Sequence, residues 1–160
     1  MKSNFTYSTD FYGINSHALT YCCVHLICLE GEGSFVFNGK AFRMFKNDIL
    51  VTSTPCKIKN LAAPESAVFE WFAAPNSFLG GLLPANNYSI GGSISLNANP
   101  IIPLSDADAE QFLADIHRIR ERMDKNDLHF YNEIMGSLCL TMIYDIFEFH
   151  AKYYGATEHT

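Results

Sequence analysis

Apolar and polar positions follow two rhythms along the chain, and the change falls near residue 104. Up to about Pro103 the pattern is one of short strands between turn residues. Residues 21–29 are a continuous β-prone run closed by Gly31 and Gly33. Ser34–Phe37 and Lys40–Phe45 flank Asn38-Gly39, the pair that supplies the two positive-φ residues of a type I′ turn, so they predict a hairpin. A turn at Lys46-Asn47-Asp48 leads to a strand over residues 49–52, ended by Pro55, and a further strand over 67–74 is ended by Pro75. Strands spaced roughly 8–12 residues apart point to a sandwich or small barrel. Residues 78–103 carry Gly80-Gly81, Pro84, Gly91-Gly92 and Pro100, which predicts an irregular connector.

After Ser105 the period becomes helical. Ser105 and Asp108 form a variant capping box, and Phe112, Ile116, Ile119 and Met123 recur at helical spacing on one face. Asp127 is the expected cap of a second helix running to about Tyr153. Between Ile134 and Phe149 the polar exceptions Ser137, Thr141, Asp145 and Glu148 fall on one narrow stripe. Most of this helix therefore calls for burial. Either the first helix and the β half suffice to cover it, or, on the preferred reading, they cover part and the remainder predicts a second copy of the chain, with Met135, Leu138, Cys139, Met142, Ile146 and Phe149 at the interface. The expected organisation is a β unit over 1–104, a two-helix dimerisation segment over 105–154 in the same domain, and a disordered tail over 155–160.

Composition narrows the function. The chain has 160 residues, enough for one domain, and 48% of them are apolar. Its net charge is −6 and no basic stripe exists, so direct nucleic-acid binding is not expected. No stretch reaches the ~20 apolar residues of a membrane span. Five cysteines with no secretory signal read as reduced thiols in the cytoplasm. The six histidines include no His-x-His pair, so no metal or other cofactor is expected. No Gly-x-Ser-x-Gly or Cys/His arrangement marks a nucleophile, and no enzyme signature emerges.

What remains is a ligand chamber. Phe35 and Phe37 share one strand face, as do Phe69, Trp71 and Ala73. Trp71 reads either as a stacking platform for a ligand or as plain core. His25 reads as a wall or lumen histidine with a hydrogen-bond partner. Asn15 and Asn60 read either as amide donors to a ligand or as surface loop residues.

The order of these features resembles the N-terminal effector-binding and dimerisation domain of AraC-type transcription regulators. The carrying residues are Leu26-Ile-Cys-Leu-Glu-Gly-Glu-Gly-Ser-Phe-Val-Phe-Asn-Gly-Lys and Phe42-Arg-Met-Phe-Lys-Asn-Asp-Ile-Leu-Val, with Pro55 and the two helices following. Asn47 stands where the family usually has glycine, and Ile58 where metal-binding relatives have histidine. The resemblance implies a mostly β fold with C-terminal helices: a cupin-like, double-stranded β-helix barrel and a two-helix dimerisation unit. By the same register, Asn60, Trp71 and Ala73 fall where sugar-binding members place ligand contacts, and Asn15 near such a contact. The resemblance implies a small-molecule effector, a homodimer, and DNA contact only through a helix-turn-helix segment not present in these residues. A stand-alone cupin-like binding protein and a metal-dependent cupin enzyme stay open as alternatives.

Overall fold

The computed structural model describes residues 4–82 and 96–155. Among these, eight strands form two antiparallel sheets. The strands are β1 (Thr6–Ser8), β2 (Cys22–Glu30), β3 (Glu32–Phe37), β4 (Lys40–Phe45), β5 (Asp48–Thr52), β6 (Ile58–Ala62), β7 (Val68–Pro75) and β8 (Ile101–Pro103). Their order is β1-β7-β2-β5-β8 in the large sheet and β4-β3-β6 in the small one. The helices are α1 (Asn76–Gly80), α2 (Asp106–Met123) and α3 (Tyr131–His150), the last followed by a π turn, Ala151–Gly155. The predicted closed barrel is therefore replaced, among the described residues, by two facing sheets with helices on one side. Much of the predicted connector, residues 83–95, lies outside the described residues, as does the predicted tail beyond Gly155.

Local chemistry explains the turns. The hairpin of β3 and β4 closes on Asn38 and Gly39 at φ 54° and 81°, the left-handed pair a type I′ turn needs. Asn47 takes φ 74° at the next turn, a conformation asparagine tolerates, and Asp48 accepts a hydrogen bond from the Phe45 N–H at 2.8 Å. Gly33 has a packing reason: a Cβ there would meet Phe11 at 2.9 Å and Phe69 at 3.0 Å, two rings stacked 4.2 Å apart.

The large sheet is buried on both faces, which is why its strands read as unbroken apolar runs. On β2, Val24, Leu26 and Cys28 face the small sheet, while Cys23 and Ile27 face the helices. On β7, Phe69, Trp71 and Ala73 face the small sheet, while Phe72 and Ala74 face the helices. Two apolar layers result. One lies between the sheets and includes Phe35, Phe37, Met44 and Ile58. The other lies between the large sheet and α2 and α3, around Phe112, Ile116, Met135, Cys139 and Met142.

The helices follow their sequence signals unequally. Ser105 caps α2 as predicted, accepting from the Asp108 N–H at 3.1 Å, and Phe112, Ile116 and Ile119 are fully buried. Asp127 does not cap the second helix. That helix begins at Tyr131, with no side-chain cap, and the Tyr131 hydroxyl instead donates to the Met123 carbonyl at 2.7 Å. Ser137, Thr141 and Glu148 are exposed, as their stripe predicts.

Candidate functional site

Strand parity separates the predicted site residues. β2 pairs with β7 in a register that sets Leu26 opposite Trp71 and His25 opposite Phe72. His25 therefore points to the helix side and Trp71 to the sheet–sheet side. Phe35, Phe37, Trp71 and Ala73 pack together in the layer between the sheets, and Trp71 is 3% exposed. The Trp71 indole N–H donates to the Asp10 carbonyl at 2.8 Å. Asn15 donates to the Ile58 carbonyl at 3.0 Å. Asn60 is exposed at φ 56°, where β6 shifts register against β3. The structure thus gathers four of the seven predicted ligand residues in one packed layer, ties Asn15 to the backbone, sets Asn60 at the surface, and sends His25 elsewhere.

His25 lines a half-enclosed cavity of about 240 Å³ between the large sheet and α3. β2 contributes Cys23 and His25, and β5 with its end contributes Val51, Thr52 and Ser53. α1 adds Asn76, Leu79 and Gly80. A helical turn at 96–98 adds Leu96 and Asn97, and α3 adds Ile143, Ile146 and Phe147 from successive turns. Of these, only His25 is read from the sequence as a ligand residue, and Ile146 is read there as part of the dimer interface. The available signal was the unbroken apolar run of β2, which reports burial on both faces and hence a second layer able to hold a cavity.

The cavity carries no formal charge. Among the described residues its lining contains no Asp, Glu, Lys or Arg. Burial lowers His25 to about 4, partly opposed by its hydrogen bond to the Phe72 carbonyl. The imidazole is therefore neutral near pH 7. Nδ1 lies 3.1 Å from that carbonyl, an acceptor only, so Nδ1 carries the proton. Nε2 is then a bare acceptor. It has no protein partner, yet it is not sealed from the cavity space. Burial, with the Cys22 thiol next, raises Cys23 to about 12. Cys23 and His25 share one strand face, but a thiol so far from ionising beside a neutral imidazole is no nucleophile–base pair. Two of the four other polar side chains in the lining are already engaged. Thr52 Oγ1 accepts from the Thr54 N–H at 3.0 Å, and Asn76 Nδ2 donates to the Ser53 carbonyl at 3.0 Å.

Two polar clusters lie beside this layer. Glu70 on β7 accepts from the Tyr7 hydroxyl and meets His117 Nε2 at 2.9 Å, while Arg120 donates to the Tyr7 oxygen at 3.1 Å, which ties α2 to the sheet edge. Farther in, Asp115 on α2 faces Asp145 on α3. Burial first and Asp145 second push Asp115 up to about 7. Among the described residues no three His, Cys, Asp or Glu side chains gather to hold a metal ion, and no helix is long and apolar enough to cross a membrane.

The predicted dimer residues are also separated. Met135, Cys139, Met142, Ile146 and Phe149 are buried under α3, against the sheet, α1 and α2. The apolar circumference read from the sequence is largely covered within one protomer. Leu138 alone of the six keeps substantial exposed surface.

The sequence matches no protein-family profile and no curated protein. The fold does have solved counterparts. The structure of the AraC-like transcriptional activator CuxR aligns over 93% of this chain with a TM-score of 0.53 and 11% identity. This is the fold of part of an AraC-like regulator. The chain spans about half of that protein, 48% of its length. ToxT from Vibrio cholerae aligns over 95% of this chain and 57% of its own length, at 10% identity and a TM-score of 0.42.

Proposed function

We propose that the chain is the effector-sensing domain of an AraC-type transcription regulator, of the cupin type with its barrel opened into two sheets. It takes a small molecule in the cavity between the large sheet and α3. The observation that carries the regulator reading is the fold shared with an AraC-like activator over 93% of the chain. The cavity supplies the sensor, because Ile143, Ile146 and Phe147 of α3 line it and a guest there would bias how that helix sits. Sensing in this sense requires that the guest prefer one arrangement of α3 over another. DNA contact belongs to a helix-turn-helix segment outside these residues. A second copy of the chain belongs to the reading too, in contact along the outer side of α3, where Leu138 is half-buried and Tyr144 is 43% exposed. The chain catalyses nothing in this account.

The coding sequence after codon 160 tests the regulator reading. A basic helix-turn-helix segment there is the expected result. A stop codon would leave a stand-alone binding protein instead.

A further inference from the structure

The cavity selects a chemical class of guest, and the inference rests on the cavity being the sensor site proposed above. His25 is 1% exposed, and its Nε2 is an acceptor with no partner in the protein. Nε2 opens to the cavity, so a guest that donates one hydrogen bond to it replaces the water that would otherwise serve it. Around it the walls are mainly apolar, with Val51, Leu79, Ile143 and Ile146 among them, and the polar lining is Thr52, Ser53, Asn76 and Asn97.

We infer that the cavity takes an uncharged, mainly apolar, ring-sized molecule that donates one hydrogen bond, from a phenolic hydroxyl or ring N–H, to Nε2 of His25. Size, charge and polarity each exclude alternatives. An apolar cavity of about 150 Å³ admits benzene. The 240 Å³ here leaves room for a substituted or fused ring and little more. A carboxylate or phosphate would lose its hydration with no cation in the lining to replace it. A sugar would bring several hydroxyls, each needing donors and acceptors, to a mainly apolar wall where Thr52 Oγ1 and Asn76 Nδ2 are already engaged and only Ser53, Asn97 and His25 remain to serve them. The neutral histidine discriminates further, because it accepts from a donor and offers an ether nothing.

The test uses the whole chain labelled with ¹⁵N at histidine, titrated with phenol, indole, anisole, benzoate and arabinose. Phenol and indole are expected to move the Nε2 resonance of His25 and to raise the melting temperature, with affinities in the range of about 0.1–1 mM for so few atoms. Anisole, which keeps the ring and lacks the donor, is expected to bind roughly tenfold more weakly. His25→Asn keeps a side-chain N–H near the Phe72 carbonyl and deletes Nε2, and should erase the preference for phenol over anisole. Should that variant not fold, the Nε2 resonance of the unaltered chain still decides the matter. Phenol and indole that move neither the resonance nor the melting temperature overturn the inference. So does anisole binding as tightly as phenol. Arabinose or benzoate stabilising the chain while the ring donors do nothing would overturn this guest class and leave the regulator reading intact. Absence of a helix-turn-helix beyond codon 160, with phenol bound at His25, would do the reverse.

Discussion

The two apolar layers of this protein share one sheet and differ in what they contain. Between the sheets, Phe11 stacks on Phe69 at 4.2 Å, Phe35 lies 5.7 Å from Phe42, and the polar tip of Trp71 is satisfied by the Asp10 carbonyl. The layer under the helices has the same Val, Ile and Phe composition but also encloses His25, the Asp115–Asp145 pair and the cavity. The first layer is built of side chains whose requirements are met. The second keeps a histidine acceptor open to the cavity and an Asp115 carboxyl raised by burial and by Asp145. Folding alone favours removing unmet polar groups and unfilled space, and that side of the sheet is where the proposed guest is placed.

The largest effect should come from breaking the filled layer. Phe37 is 1% exposed, and Phe37→Ala should cost about 3–5 kcal/mol in urea unfolding. A loss below about 1 kcal/mol would mean that the layer is not tightly packed.

Acid should act on the other layer through His25. Its folded value of about 4 lies below the ordinary value near 6.5, so the unfolded chain binds more protons between these values. The stability from its neutral burial is whole above pH 6.5 and is lost as pH falls toward 4. About 2 kcal/mol should be gone by pH 5, and His25→Asn should flatten that slope.

Asp115 works in the opposite direction. Its folded value, about 7, is raised above the ordinary carboxylate value, so the folded chain holds the extra proton. Its contribution falls as pH rises through the window between those values. Asp145→Asn supplies an N–H to the facing carboxylate and should stabilise the chain by about 1 kcal/mol at pH 8, a melting shift of roughly 2–4 °C, with little gain at pH 5. Equal gains at both pH values would contradict a raised Asp115.

The smallest effect should follow Leu138→Glu on the outer side of α3. Protomer stability should change by no more than about 0.5 kcal/mol. Light scattering should show weakened self-association, and an unchanged association state would remove this face from the proposed dimer.

Much of the fold was legible in the sequence, and the residues show why. Asn38-Gly39 dictated its turn because few other residues adopt those dihedrals, and Ser105 dictated the start of α2 through its own oxygen. The start of α3 was not legible, since Tyr131 begins it without a capping side chain and Asp127 imitates a cap three residues early. The site was less legible still. His25 and Trp71 look equally lumen-facing until the register of β2 against β7 places them on opposite faces, and register depends on pairing that no local motif encodes here. The same limit misled the dimer reading. Met135, Cys139 and Met142 do need burial, but α1, α2 and the large sheet supply it, and helical period alone does not say whose surface covers a face.

The central claim is that guests enter the layer under the helices and not the layer between the sheets. The chain carries one natural reporter for each. Trp71, the only tryptophan, sits between the sheets, and His25 Nε2 opens to the cavity. A phenol titration followed by ¹⁵N NMR reads both at once. The account predicts that the His25 Nε2 resonance moves to saturation while the Trp71 indole N–H stays still; movement of Trp71 with His25 unchanged would contradict it.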